Sequence, residues 1–190
     1  MKFTALSLSG AFLIEPERHE DERGFFARMW CQREFEAHGL TARLVQCSIS
    51  CSWRKETLRG MHYQLPPFAE DKLVRVTHGC IYDVIVDLRP DSATFLRWLG
   101  FELTQENRLA LYVPKGFAHG FQTLIDDTEV FYQMSEFYAP GHARGIRWDD
   151  PLIGAVWPEP ITVIAERDRT YPDIRLDDLD AFRIDAEAHE

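Results

Sequence analysis

No stretch of the 190 residues approaches the roughly 18 to 20 uninterrupted apolar positions a membrane-spanning helix needs, and no membrane partner is expected. Basic residues are scarce. Against 31 Asp and Glu stand 21 Lys and Arg, and the net charge of −10 is the opposite of what wraps a polyanion, so nucleic acid is not an expected partner. A small anionic ligand needs only a local basic pocket, and the charge does not exclude it. Cysteine is sparse and unpatterned. Cys31, Cys47, Cys51 and Cys80 contain no CxxC pair, and the Cys47/Cys51 spacing has no matching His or Cys ligands. Reduced thiols in a cytoplasmic protein are expected, not disulfides or zinc. No internal repeat, low-complexity tract or Gly/Ser linker divides the chain, so residues 1–190 are expected to form one domain.

Helical signal is thin as well. CQREFEAHGL (31–40) offers one short helix, with Gly39 as its stop. The opening segment carries a short apolar run after Lys2 but turns charged at Glu15. It is expected to be a first strand, Phe3 to Leu13, and not a secretory leader.

Apolar residues are plentiful, at 45%, which excludes disorder for most of the chain. From about Leu44 to Tyr138 they fall in short runs rich in Val, Ile, Leu, Phe and Tyr. KLVRVTH (72–78), CIYDVIVDLR (80–89), RWLGFELT (97–104), LALYVP (109–114), GFQTLI (120–125) and EVFYQMSEFY (129–138) read as strands separated by Gly, Pro, Asp and Asn. Within the second, Tyr82, Val84, Val86 and Leu88 alternate with Asp83, Ile85, Asp87 and Arg89. Many short strands with few helices between them predict an all-β fold, a double-stranded β-helix or jelly roll with a few short helices. From about residue 139 the chain turns rich in Pro, Gly and Asp and carries two Trp, so an irregular but ordered flap is expected there. The last dozen residues are acidic, lack periodicity and are expected to fray.

Two histidine motifs stand out: Leu58-Arg59-Gly60-Met61-His62-Tyr63-Gln64, and the run from Val113 to Phe121 that contains Gly116-Phe117-Ala118-His119-Gly120. In jelly-roll enzymes of the cupin kind such motifs face the barrel mouth. A metal-binding cupin needs His-x-His followed by an acid. Here Gln64 stands two residues after His62 and Lys72 follows, which leaves too few ligands, so no metal is expected. His62 is a candidate base near neutrality, and Arg23, Arg59 and Lys72 are cations able to hold a polyanion.

Six ordered motifs carry a resemblance: Asp21-Glu22-Arg23-Gly24-Phe25-Phe26, Leu58 to Gln64, Lys72-Leu73-Val74-Arg75-Val76, Tyr82 to Arg89, Pro114 to Phe121, and Trp148-Asp149-Asp150-Pro151. From about residue 5 to residue 175 the chain resembles the dTDP-4-dehydrorhamnose 3,5-epimerase family, sugar-nucleotide epimerases of the cupin superfamily. The resemblance implies a jelly-roll homodimer without metal or other cofactor, acting on nucleotide-linked 4-keto-6-deoxyhexoses in deoxysugar or surface-polysaccharide biosynthesis. Carried over by position, it implies His62 as base, Asp168 as the carboxylate holding it, Tyr132 as acid on the opposite sugar face, and Lys72 as stabiliser of the enolate oxygen. Arg23, Arg59 and His119 would contact diphosphate and sugar, and Tyr138 would stack on the base. Phe26, Arg28, Gln46, Ser48 and Arg167 complete the substrate-binding set.

Departures from the family fall at the nucleotide end. The family commonly has Glu at Arg28, Asp-Asn at Cys47-Ser48, Glu at Ala143 and Lys at Arg167. An intact catalytic set beside an altered nucleotide set points to the same reaction type on a different sugar nucleotide, with a CDP-linked sugar the first alternative to dTDP. A mono-epimerase, a 3,4-ketoisomerase, and a non-catalytic jelly roll that binds sugar nucleotides remain as alternatives.

Overall fold

The computed structural model describes residues 1–177 and Phe182. In chain order its elements are β1 (Lys2–Ala5), β2 (Phe12–Glu15), β3 (Arg18–Asp21), β4 (Gly24–Ala27), α1 (Gln32–Ala37), β5 (Gln46–Ser52), β6 (Thr57–Gln64) and β7 (Lys72–His78). There follow β8 (Cys80–Asp87), β9 (Trp98–Thr104), β10 (Ala110–Val113), β11 (Phe117–Thr123), β12 (Thr128–Met134), β13 (Ala143–Gly145), β14 (Val163–Ile164) and α2 (Glu166–Arg169). One sheet runs β1-β2-β10-β7-β12-β5 and the other β13-β6-β11-β8-β9, with β14 added parallel to β6. Strands β3 and β4 form a separate hairpin. This is the all-β jelly roll expected from the strand pattern.

Period-two alternation explains why two sheets stack. On β10, Leu111 and Val113 face a core shared with Val74, Val76, Ile85, Phe121 and Val130 from both sheets. The alternate residues Ala110 and Tyr112 join Ile14, Leu73, Phe35 and Leu40 on the outer side of the first sheet. Helix α1 covers that outer side and stops as predicted. Gly39 is left-handed at φ +69°, its N–H donates to Glu36 O, and Leu40 N–H donates to Phe35 O. Leu40 and Phe35 then pack together, which completes a Schellman stop.

The expected strand from Phe3 to Leu13 is instead the hairpin β1/β2. Leu6 N–H donates to Ala11 O and Ala11 N–H to Leu8 O, and Gly10, at φ +87°, turns the chain back. Residues 140–177 cover the outer face of the second sheet. Ile146, Ile153, Trp157 and Ile174 pack there on Met61, Val84, Val86 and Leu88. The expectation of a fraying tail falls, Phe182 apart, outside the described residues. Among the described residues no helix is long and apolar enough to cross a membrane.

Candidate active site

Arg59 and His62 are three residues apart on β6, which in a regular strand would place them on opposite faces. A β-bulge brings them together. The β6–β11 partners shift from His119↔His62 to Phe121↔Arg59, so three steps of β6 oppose two of β11. Gly60 sits in the bulge at φ +135°, and a Cβ there would lie 2.5 Å from Gly120 Cα, so only glycine fits. Arg59 is held by Ser52 Oγ and Cys51 O, each 3.0 Å away.

Strand β14 runs alongside the start of β6 and hands the chain to α2, which sets Asp168 against the bulge. Asp168 is buried and accepts from Gly60 N–H at 3.1 Å through Oδ2, while Oδ1 lies 2.8 Å from His62 Nε2. With Nε2 so engaged, Nδ1 is the ring nitrogen of His62 left for a substrate. Arg167 Nη2 lies 3.2 Å from His62 Nε2, and the Tyr171 ring meets the imidazole edge-on at 6.2 Å. Burial pushes the Asp168 carboxyl up. Its hydrogen bond and charge contact with His62, the Gly60 N–H and Arg167 outweigh this and hold it below the usual range.

Tyr132 faces the same space from β12, its hydroxyl 3.1 Å from Ser50 Oγ. Burial drives the phenol far above its ordinary value, against the Ser50 hydrogen bond, so it holds its proton. Lys72 Nζ lies 3.1 Å from Glu70, with both side chains largely buried. His119, beside His62 across the ladder, has its own carboxylate. Its Nε2 lies 2.9 Å from both oxygens of Asp83 and shares a hydrogen bond with Oδ2.

These groups surround a two-lobed cleft. One lobe, of about 510 Å³, is lined by Ser50, Arg59, His119 and Asp168 among others, and the second, of about 300 Å³, by Gln46, Ser48, Tyr138 and Ala143 among others. His62, Lys72, Tyr132 and Arg167 line both, so the expected base and acid stand where the lobes meet.

A family model described as dTDP-4-dehydrorhamnose 3,5-epimerase matches residues 5–175. The chain belongs to that family. The dTDP-4-dehydrorhamnose 3,5-epimerase of Sinorhizobium fredii is 43% identical over 175 residues, which cover 92% of this chain and 90% of that one. A crystal structure of the Bacillus anthracis epimerase with TDP and PPi bound superposes with a TM-score of 0.88 at 41% identity, covering 91% of this chain and 99% of the other. The Legionella pneumophila enzyme in complex with dTDP-4-keto-L-rhamnose gives 0.89 at 34% identity, covering 96% and 97%. This protein is therefore an isomerase of the epimerase family.

Of the site residues expected from the epimerase resemblance, His62, Tyr132, Asp168, Lys72, Arg59, His119, Arg167, Gln46, Ser48 and Tyr138 line the cleft. Arg23, Phe26 and Arg28 line neither lobe. Arg23 and Phe26 lie on the β3–β4 hairpin and are solvent-exposed, Arg23 pairs with Asp21, and Arg28 pairs with Glu34 at 3.0 Å. The sequence reasoning missed Ser50, Glu70 and Asp83. The Lys72–Glu70 spacing of two, which puts both on one face of an extended segment, was the only local signal among them. Among the described residues no group of three or more His, Cys, Asp and Glu is placed to hold a metal ion.

Proposed function

We propose that the protein inverts C3 and C5 of a dTDP-linked 4-keto-6-deoxyhexose by proton abstraction and return. The observation that carries this reading is the pairing, across one cleft, of a carboxylate-backed imidazole with a phenol that keeps its proton. The C4 ketone acidifies the neighbouring C–H bonds. His62 Nδ1 takes such a proton, and the electron pair moves onto the ketone oxygen as an enolate beside Lys72 Nζ. Tyr132 returns a proton to the same carbon from the opposite face, which leaves that carbon inverted. Asp168 balances the imidazolium formed, and solvent exchange restores His62 and Tyr132. A donor such as Lys72 at a developing oxyanion contributes about 3 to 4 kcal/mol.

The thymidine assignment rests on the relatives and on where the departures lie. Gln46 and Ser48 face the second lobe, whereas Cys47 between them is exposed on the other face of β5. Arg28 pairs with Glu34 outside the cleft. Of the positions expected to shift nucleotide preference, Ser48, Ala143 and Arg167 line the lobe, Ser48 still offers a hydroxyl there, and Arg167 is still a cation. That supports dTDP over CDP.

The protein acts as a single cupin-like domain and as a homodimer, in the cytoplasm. Arg23 and Phe26, exposed on a projecting hairpin, are then available to the partner's cleft, and pairing protects the open sheet edges at β1 and β5. Sedimentation at micromolar concentration giving a 22.1 kDa species would refute the dimer.

Incubation with the dTDP-linked 4-keto sugar in heavy water tests the chemistry. Deuterium at both C3 and C5, with inversion, is expected. Deuterium at one carbon makes the protein a mono-epimerase, and no exchange with any nucleotide makes it a binding module.

A further inference from the structure

Two cations of the cleft are wired differently. Arg59, in the first lobe, gives its hydrogen bonds to neutral acceptors, Ser52 Oγ and Cys51 O. Among the described residues no carboxylate pairs with it, so it keeps a whole positive charge. Lys72, where the lobes meet, faces Glu70 Oε1 at 3.1 Å. The Lys72 and Glu70 side chains are only 13% and 11% exposed, so little water screens the pair. The reaction described above has a use for Lys72 and none for Glu70. Yet the carboxylate is firmly placed. Asp71, between the two, pins the segment: its N–H donates to Ser135 Oγ at 2.8 Å, and its Oδ1 accepts from Lys115 N–H at 3.1 Å.

The other groups around Lys72 supply no free counter-charge. Tyr132 from β12 keeps its proton, His62 from β6 is paired with Asp168 from α2, and Asp83 from β8 is paired with His119 from β11. Without Glu70, an ammonium half out of water between base and acid would be a strong anion site. The substrate expected here carries a diphosphate, whereas its 4-keto group is neutral until a neighbouring proton leaves. A phosphate seated on Lys72 would put the wrong part of the substrate between His62 and Tyr132. Pairing cancels the charge without using up the donors. An ammonium has three N–H groups, and one contact to Glu70 leaves others for a ketone oxygen and for the enolate it becomes.

We propose that Glu70 is a specificity-determining residue: paired with Lys72, it makes the space between base and acid accept a neutral ketone and turn phosphate away. This rests on the epimerase reading and deepens it. The cleft then sorts the two ends of its ligand by charge. Arg59, answered only by neutral acceptors, attracts the anionic end, and Lys72, answered by a carboxylate, offers hydrogen bonds without net charge.

Calorimetric titration of the full chain with inorganic phosphate tests this without substrate, and so separately from the epimerase reading, which the heavy-water exchange decides. Glu70→Gln keeps the shape and an acceptor for Lys72 but removes the charge. It is expected to bind phosphate about tenfold tighter than the unaltered protein, the scale of one unit charge acting at close range. Adding Lys72→Met to Glu70→Gln should abolish that gain, which places the extra binding on Lys72. Equal or weaker binding by Glu70→Gln would overturn the proposal, and so would a gain that survives Lys72→Met. A purely structural Glu70 would loosen the cleft and weaken binding, so the sign of the change separates the two roles. If Glu70→Gln fails to fold, nitrogen-15 spectra of the unaltered chain decide. Phosphate at tens of millimolar is expected to leave the Lys72 ammonium signal in place, and a shift of that signal would sink the proposal.

Discussion

Replacing Asp168 by Asn tests how the base is set, because the amide cannot satisfy both of the carboxylate's contacts. In the native site Oδ2 accepts from Gly60 N–H at 3.1 Å and Oδ1 from His62 Nε2–H at 2.8 Å. An amide has one acceptor arm and one donor arm. If its oxygen stays on Gly60, the NH₂ group faces His62 and donates to Nε2, which moves the ring proton to Nδ1. That is the wrong tautomer, since Nδ1 must be bare to take the C–H proton. If the amide flips, its NH₂ meets the Gly60 N–H at the same spacing, and a buried donor goes unpaired at a cost of about 1 to 3 kcal/mol. The first arrangement is therefore the one expected to form. The expected loss in kcat is about 10² to 10⁴, equivalent to about 2.7 to 5.4 kcal/mol of transition-state stabilisation, while the thermal midpoint moves by a few degrees. Deuterium uptake from heavy water into the sugar, followed by proton spectra, reads the base step directly. Uptake within about tenfold of the native rate would refute the tautomer argument, and with it the role of Asp168.

Tyr132→Phe keeps the buried ring and removes the donor, so base-side exchange is expected to survive while inversion, read from coupling constants of the product, falls; equal loss of both would make Tyr132 a positioning group. Gly145→Ala drives a Cβ into the Tyr171 ring that packs on His62, and overpacking of this kind costs about 1 to 3 kcal/mol, so both thermal midpoint and turnover should drop; native values of both would show that the ring has room to move. For Asp87, burial raises the carboxyl, but Arg89, Ser92 and Thr94 hydrogen-bond it and hold it below its ordinary value. Its stabilising contribution is therefore present above about pH 4 and lost as pH falls through the native value. Asp87→Asn should lower the melting temperature at neutral pH by an amount that shrinks in acid, and a gap undiminished in acid would contradict the sign.

What could be read from the sequence was what local chemistry determines. The run KLVRVTH becomes a strand over the same residues, Lys72–His78, because β-branched alternation and a following Gly79 leave little choice. Gly39 ends α1 for an equally local reason. The expected strand from Phe3 to Leu13 failed because its apolar residues mask a turn that Gly10 and Ala11 close. The His62–Asp168 pair joins residues 106 apart through β14, which is two residues long and has no periodicity to detect. Only the family resemblance pointed to it. Asp83 was invisible for a different reason. Alternation with Val and Ile makes an aspartate look like the polar face of a strand, yet both faces of β8 are covered, and its charge is answered by a histidine 36 residues away. Ser50 likewise becomes a partner of Tyr132 only when β5 and β12 pair.

The distribution of the site over the fold bears on which departures matter. The proposed base, acid and enolate stabiliser, and the second histidine, come from β6, β12, β7 and β11, each flanked on both sides within its sheet, where neighbouring ladders fix a side chain to a fraction of an ångström. The lobe proposed to hold the nucleotide is lined from the edge strands β5 and β13 and by Tyr138, which lies beyond β12 and is exposed. Edge elements open at lower free energy than central ones, and a contact made there can strengthen when ligand arrives. A substitution such as that at Ala143 acts on this adjustable half. On the proposed reading it is expected to change how tightly the substrate is held, equally in the ground and transition states, and so to move KM with little effect on kcat. The proposed reading therefore expects turnover to survive a change at Ala143 and to fall with one that shifts the register of the four central strands.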